Sequence, residues 1–323
     1  VVRQGRYFIV AYCIMILGAQ ISLQRYMRWA PWLYLMGIAS LVAVMLVGVG
    51  AKGAQRWLEI GGFRFQPSEI MKLMVPMAVA WYLADRILPP RFNSVLIALV
   101  LVGIPAVLIL QQPDLGTALL IASSGLFVLF VAGIGWRYIF GAVILAAASA
   151  WPAWMFVLKD YQKQRILTML NPETDKLGAG WNIIQSKTAI GSGGWSGKGW
   201  MKGTQSQLDF LPESHTDFII AVLAEEYGLR GILMLMGIYL LILLRGFWIG
   251  IRAQTSFGRM MAGSLTLTFF VYIFVNMGMV AGLLPVVGVP LPLVSAGGTS
   301  VVTLMAGFGV LMAVSTEKRM VAH

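Results

Sequence analysis

Cysteine, histidine and charge are all scarce in this sequence, and each shortage removes a class of function. Cys13 is the only cysteine and lies in an apolar run, so neither a disulfide framework nor a thiolate metal site is available. His215 has no second histidine near it, which leaves no histidine cluster to ligate a metal. No Ser-His-Asp order, HExxH, CxxC or nucleotide fingerprint occurs. Only 11% of residues are charged, against roughly 25% in soluble domains. With 59% hydrophobic residues and a mean hydropathy of +0.80, the chain reads as a multi-span membrane protein. Apolar runs near 20 residues argue for helices, because barrel strands alternate and are about half as long. Acids are also outnumbered, giving a net charge of +11 and a pI near 10.0. In a soluble protein that excess would suggest nucleic acid. Here cytoplasmic loops and anionic headgroups account for it, and no nucleic-acid partner is expected. The first residue is Val and no signal peptide precedes it, so the N-terminus is expected to be incomplete.

Nine candidate spans are expected near 7–24, 30–50, 67–84, 94–111, 115–133, 137–158, 218–244, 258–282 and 297–315. The seventh either runs through or begins near Gly231, with 218–229 as a short helix before it. One set of short loops, with the C-terminal tail, holds Arg25, Arg28, Arg86, Arg91, Arg137, Arg245, Arg252, Arg259, Lys318 and Arg319. The opposite set holds Arg3, Arg6, Lys52, Arg56 and Arg64. Ten against five places the first set and the C-terminus in the cytoplasm, and the long loop 159–217 outside. A further helix before the first would put both termini in the cytoplasm.

The outer face then collects the polar stretches. In Lys52–Lys72, Trp57 and Phe63 suit an interfacial segment, and Pro67-Ser68-Glu69 reads as a helix start. Glu69 and Lys72, three apart, share a helical face as either a self-neutralising ion pair or an intramembrane functional pair. Asp114, after Gln111-Gln112-Pro113, either caps the next helix or joins Glu69 at the outer face. The loop 159–217 breaks at Asn171-Pro172 and turns glycine-rich from Gly178 to Gly203, with Trp181, Trp195 and Trp200 suited to the headgroup layer. A phosphate-binding loop at Gly197-Lys198 fails, because Ser192 stands where the first glycine belongs and Gly199 replaces the Ser/Thr. Lys187, Lys198 and Lys202 contact either phosphates or anionic headgroups. Three prolines followed by Gly297-Gly298 keep 285–300 from being a regular span, so it is either a groove wall or an ordinary outer loop. Last, Thr204–Gly231 concentrates Asp209, Glu213, His215, Asp217, Glu225, Glu226 and Arg230 at a membrane boundary. Asp217 stands where an N-cap belongs, although Thr216 caps equally well, and is otherwise a candidate base beside an outer groove.

The stretches KGAQRW (52–57), RFQPSEIMK (64–72), QPDLGT (112–117), GWNIIQSKTAIGSGG (180–194), GKGWMKGTQSQLDFLPESHTDFIIAVLAEE (197–226) and LPVVGVPLPLVSAGG (284–298) resemble the SEDS family (shape, elongation, division and sporulation). The likeness runs through the whole chain, 1–323, as a single all-α transmembrane domain, and GTQSQLDFLPE favours the elongation branch over the division branch. Family members have ten transmembrane helices, consistent with one absent at the start. The resemblance implies a peptidoglycan glycosyltransferase of the bacterial cytoplasmic membrane. Its implied substrate is lipid II, an undecaprenyl-diphosphate disaccharide-pentapeptide, polymerised on the outer side.

The same resemblance implies Asp217 of the HTDF motif as the catalytic residue, with Glu69, Lys72 and Asp114 in the active cavity. Arg64, Lys187, His215 and Ser295 complete the candidate substrate-binding set. A carboxylate would take the proton of the attacking sugar hydroxyl while Arg64, Lys72 or Lys187, with or without a divalent cation (Mg or Mn), receives the departing diphosphate. An α-linked donor giving a β-linked product needs one inversion and no covalent enzyme intermediate. The implied partners are a class B penicillin-binding protein and other elongation-complex proteins. Ala296 replaces the family's usual Tyr in VSYGG, which removes a groove-lining aromatic. A lipid II flippase and a scaffold that only recruits a transpeptidase are the alternatives from other functional classes.

Overall fold

A computed structural model describes residues 2–51, 54–60, 63–175, 178–204 and 215–317. Lys52, Asp209, Glu213, Lys318 and Arg319, named above, lie outside the described residues. The chain groups into two compact units. The first comprises Val1–Ile134, Ile242–Val271 and Gly297–His323, and the second Gly135–Leu241 and Tyr272–Ala296.

In the first unit, α1 (Val2–Gln20) and α2 (Leu23–Val47) lead into three short strands, β1 (Val49–Ala51), β2 (Ala54–Ile60) and β3 (Phe63–Phe65). The strands form an antiparallel sheet in sequence order, with Leu58 opposite Phe65 and Glu59 opposite Arg64. This sheet stands where an interfacial segment was expected. Leu58 is buried between half-buried Trp57 and exposed Glu59, an alternation too short to be conspicuous in the sequence.

Helices α3 (Pro67–Ala84), α4 (Phe92–Gln111) and α5 (Leu115–Val131) follow. Pro67 opens α3, where its missing N–H costs nothing, and Glu69 lies in the first turn against the positive end of the helix dipole. Met71, Val75, Val79 and Leu83 run down α3 fully buried, so this helix is the core of the unit. Glycines allow the packing. Gly37 of α2 lies against Met71, and Gly125 of α5 lies under Val102 of α4. Close backbone approach of this kind supports helix association where burial from water gives little drive. Helix α11 (Gly298–Thr316) packs on α1, where Gly18 and Gly309 face each other.

The second unit begins with α6 (Trp136–Pro152), which continues into a π turn over Ala153–Val157. None of the window between Trp136 and Phe156 is buried. Among the described residues, the interval expected as a long loop contains two α-helices, α7 (Asp160–Leu170) and α8 (Ala179–Gly193). Gln162 accepts the Lys159 N–H at 3.0 Å and caps α7 from within its first turn. The buried stripe of α8, Ile183, Ser186, Ala189 and Gly193, has helical spacing but is built of small and polar residues, so it carries little hydrophobic contrast.

Helix α9 (Ile219–Arg252) breaks at Gly228, whose φ of 66° and ψ of −162° suit a residue without a Cβ. A continuous helix would bond the N–H of Leu229 and Arg230 to the carbonyls of Glu225 and Glu226. Instead Lys198 N–H and Gly199 N–H donate to those two carbonyls at 2.9 and 3.0 Å. Leu229 and Arg230 donate to Gly194 and Trp195 at 2.9 and 3.3 Å. The glycine-rich segment therefore takes over the hydrogen bonds that the break releases. Gly193 and Gly197 touch the α9 backbone directly, leaving no room for a side chain. Helix α10 (Ser256–Val280) is followed by residues 281–297, which form neither helix nor strand.

Six described helices are long and apolar enough to cross a membrane: Leu23–Val47, Phe92–Gln111, Trp136–Phe156, Ile219–Arg252, Ser256–Val280 and Gly298–Thr316. The chain is a helical, multi-pass membrane protein. The three other stretches read as spans are the helices Val2–Gln20, Pro67–Ala84 and Leu115–Val131.

Candidate active site

In the second unit, His215, Thr216, Asp217 and Phe218 form the turn immediately before α9. Phe218 is buried and anchors the turn, Asp217 is half-buried and His215 is exposed. Three consecutive carbonyls of this turn accept hydrogen bonds from groups far along the chain. His215 O accepts from Ala296 N–H at 2.9 Å. Thr216 O accepts from the Ser295 hydroxyl at 2.5 Å. Asp217 O accepts from Asn276 Nδ2 at 2.9 Å. The peptide that carries the candidate base is thus fixed from outside, one residue after another.

The irregular stretch after α10 is fixed in the same way. Asn276 Nδ2 also donates to Val289 O at 2.7 Å, and the Tyr239 hydroxyl of α9 donates to Pro292 O at 2.7 Å. Ser295 Oγ accepts the Leu291 N–H at 2.7 Å. Gly288, next to Val289, faces the Asp217 carboxyl, since a Cβ placed there would lie 3.4 Å from Oδ2. Its φ of +73° favours glycine.

The remaining candidates divide by unit. Lys187 is exposed on α8, which is attached to the end of α10 by the Ser186 hydroxyl bonding Val280 O at 2.8 Å. Gly282 lies against the end of the Lys187 side chain, for a Cβ there would sit 2.7 Å from Nζ. Ser295 is buried and its hydroxyl bonds backbone groups of Leu291 and Thr216, so the geometry gives it a supporting place beside Asp217. Ala296 contributes its backbone N–H, a contact that does not depend on whether the side chain is Ala or the family's Tyr.

In the first unit, Lys72 Nζ lies 2.6 Å from Glu69 Oε1, and both side chains are buried. Glu69 Oε2 and Ser68 Oγ are buried without a hydrogen-bond partner among the described residues. Buried polar atoms are rarely left so, and each costs about 1–3 kcal/mol when unpaired. Asp114 caps α5, accepting Thr117 N–H at 3.2 Å. It also accepts from Gln66 Nε2 at 3.2 Å and lies 3.8 Å from the Arg56 guanidinium. Arg56 in turn donates to the carbonyls of Gln112 and Pro113. Arg64 stands in β3 opposite Glu59, and its side chain lies outside the described residues.

Two supporting residues escaped the sequence reading, Asn276 and Tyr239. Asn276 carried a usable signal, because an amide within an apolar span is a functional candidate. The Tyr239 bond to a carbonyl 53 residues away had none. Among the described residues no group of three or more His, Cys, Asp or Glu side chains gathers to hold a metal ion. Chemically, the second unit offers a carboxyl on a rigid turn at the start of a helix, and the first a buried, partly unsatisfied carboxylate with its lysine.

A family model described as "Cell cycle protein", for FtsW, RodA and SpoVE, matches residues 1–320. The chain is 58% identical over 309 residues to the peptidoglycan glycosyltransferase MrdB of Escherichia coli K12, covering 96% of this chain and 84% of that one. It is 39% identical over 321 residues to a probable peptidoglycan glycosyltransferase FtsW of Geobacter metallireducens, covering 98% and 85%. Among solved structures it is similar to a chain of a peptidoglycan synthase complex that coordinates polymerisation and crosslinking. That match has a TM-score of 0.84 at 30% identity, covering 98% of this chain and 90% of that one. The rod-shape-determining protein RodA of Thermus thermophilus matches with a TM-score of 0.72 at 27% identity, covering 97% and 86%.

Proposed function

The chain belongs to the FtsW, RodA and SpoVE family of cell-cycle proteins and is a peptidoglycan glycosyltransferase, and from that premise we propose that it polymerises lipid II with Asp217 as general base. In this reading Asp217 takes the proton of the acceptor sugar hydroxyl. The freed oxygen attacks C1 of the donor sugar, and undecaprenyl diphosphate leaves with one inversion. A positioned general base typically contributes about 10²–10⁴-fold. Lys187, in the same unit as Asp217, is the candidate to receive the diphosphate charge, and Arg64 and Lys72 are further candidates. Glu69, Asp114 and His215 are proposed as lipid II contacts.

The protein is a multi-pass protein of the inner membrane. The finer topology proposed for it is nine spans, with Asp217 and the interval 159–217 on the outer side and the basic short loops inside. That side is where a membrane-anchored sugar acceptor is met during elongation of the wall. The partner proposed is a class B penicillin-binding protein, in keeping with the similarity to a chain of a synthase complex that joins polymerisation to crosslinking. Other elongation-complex proteins are proposed with it.

The observation that supports the base most is the clamp on its backbone, three successive carbonyls each bonded from the far end of the unit. A helix cap needs no such fixing, whereas a proton acceptor that must meet a hydroxyl within hydrogen-bond reach does. Asp217→Asn keeps the shape of the side chain and removes its basicity. With purified protein and lipid II, gel analysis of glycan length should show wild-type polymer and none from the variant, at equal folding and lipid II binding. Normal polymer from Asp217→Asn would overturn the proposal. Transfer of labelled lipid II across liposomes without polymer would favour the flippase, and unchanged synthesis after substitution of both Asp217 and Glu69 would favour the scaffold.

A further inference from the structure

The Asp217 backbone is held, and the residue that holds it also holds the peptide next to Gly288, which lies against its carboxyl. Asn276 is fully buried in α10, four residues before the helix ends at Val280. Its Nδ2 lies 2.9 Å from Asp217 O and 2.7 Å from Val289 O. Two carbonyl oxygens at these distances require the NH₂ group between them, with one hydrogen for each. Val289 adjoins Gly288, where a Cβ would lie 3.4 Å from Asp217 Oδ2. One amide group therefore joins the peptide carrying Asp217 to the peptide facing it.

We infer that Asn276 is a positioning residue for Asp217, and that Ser295 supports it from the neighbouring carbonyl. This rests on Asp217 being the base. Few side chains can replace the amide. An ionised Asp has no hydrogen to donate, Ser and Thr have one, and Leu has none. Asn276 Oδ1 is meanwhile buried without a hydrogen-bond partner among the described residues. That loss comes from placing an amide here, where an apolar side chain of similar volume would avoid it. Packing alone does not call for an amide at this point, whereas bridging two carbonyls does. Ser295 repeats the arrangement next door, donating to Thr216 O and accepting from Leu291 N–H. Together they leave the turn no freedom to slide along the irregular stretch. A shift of about 1 Å in a catalytic group is enough to cost on the order of 100-fold in rate.

The test uses the full chain, purified with its transpeptidase partner, with lipid II titrated to separate kcat from KM. Asn276→Leu, Ser295→Ala and Asp217→Asn are compared, each with a thermal unfolding curve. Asn276→Leu should lower kcat about 10- to 100-fold with KM within about twofold. Ser295→Ala, which removes one hydroxyl, should lower kcat about 3- to 10-fold, again at constant KM. A residue needed only for folding would reduce the amount of active protein or its melting temperature and leave the turnover of the folded fraction intact. A kcat for Asn276→Leu within twofold of wild type, or a loss carried by KM alone, overturns the inference while an inactive Asp217→Asn leaves the base standing. An active Asp217→Asn removes the base and this inference with it. If Asn276→Leu gives no folded protein, Ser295→Ala decides by the same criterion: an unchanged kcat overturns the inference and a reduced one supports it.

Discussion

The ammonium of Lys198 lies 2.7 Å from Oε1 of Glu225, whose side chain is wholly buried. The same oxygen accepts the N–H and the hydroxyl of Thr204 at 2.8 and 3.1 Å. The pair therefore fastens the glycine-rich segment to α9 three residues before its break at Gly228. Lys198→Met would leave the carboxylate buried without its cation, and breaking a fully buried pair in this way costs about 3–5 kcal/mol. Because Lys198 is partly exposed, about 2 kcal/mol is the better expectation here. Glu225→Gln keeps an acceptor for Thr204 and frees only a lysine that already reaches solvent, so it should cost less. Thermal unfolding in detergent should rank wild type above Glu225→Gln and Glu225→Gln above Lys198→Met. The opposite order of the two variants would mean that the ion pair does not hold this segment.

The Glu69–Lys72 pair allows a sharper separation of structure from function. Lys72→Met removes the partner of a carboxylate that already has one unsatisfied buried oxygen, so the loss of stability should be about 3 kcal/mol or more. Adding Glu69→Gln removes the stranded charge and should restore most of that stability. Were the pair only a fastener for α3, glycan synthesis would return with the fold. The expected outcome is a stable double variant that makes no glycan, read by unfolding curves and product gels on one preparation.

What the sequence revealed depended on whether the signal was local. The apolar runs near 258–282 and 297–315 are α10 and α11, and the three prolines before Gly297-Gly298 do interrupt regular structure between them. A short helix ahead of Gly231 was one of two openings considered for the seventh span, and α9 does break at Gly228. The Asp114 cap was legible because a cap needs only the next turn of helix. Helices α7 and α8 were hidden, since their buried faces carry Thr168, Ser186 and Gly193 where a hydrophobic stripe would have stood out. Least legible was the clamp on Asp217. Asn276 is 59 residues from it and Ser295 is 79 from Thr216, and no periodicity reports a contact at such separations.

Asp114 separates in a different way. Asn is as good an N-cap as Asp, whereas loss of the cap costs about 1 kcal/mol. Asp114→Asn should therefore unfold at nearly the wild-type temperature, and Asp114→Ala about 1–2 °C lower. Its pairing with Arg56 at 3.8 Å is long and partly exposed, and adds little to that difference. If capping is its whole role, Asp114→Asn should polymerise normally. If its charge meets the substrate, as proposed, glycan synthesis should fall although the fold does not. Product gels beside the melting curves distinguish the two.

Gly288→Ala tests the space in front of the candidate base without touching it. At a φ of +73° an alanine costs about 1–2 kcal/mol in backbone strain, a loss the unfolding curve should show as a few degrees. The larger effect is local. Its Cβ would stand 3.4 Å from Asp217 Oδ2, ordinary contact for carbon and oxygen, and would fill the space on that side of the carboxyl, which is the expected side of hydroxyl approach. A sugar hydroxyl needs about 2.6–3.2 Å to pass its proton, and a methyl group in that gap keeps it farther away. Polymerisation by Gly288→Ala should therefore fall at least about 10-fold, well beyond what a modest shift in melting temperature removes at the assay temperature. Gly288→Ser is the companion variant, since it adds a further atom to the same methyl and should polymerise no faster than Gly288→Ala. Full activity in both would mean that substrate approaches Asp217 from another side, and that Gly288 serves only the bend of the chain.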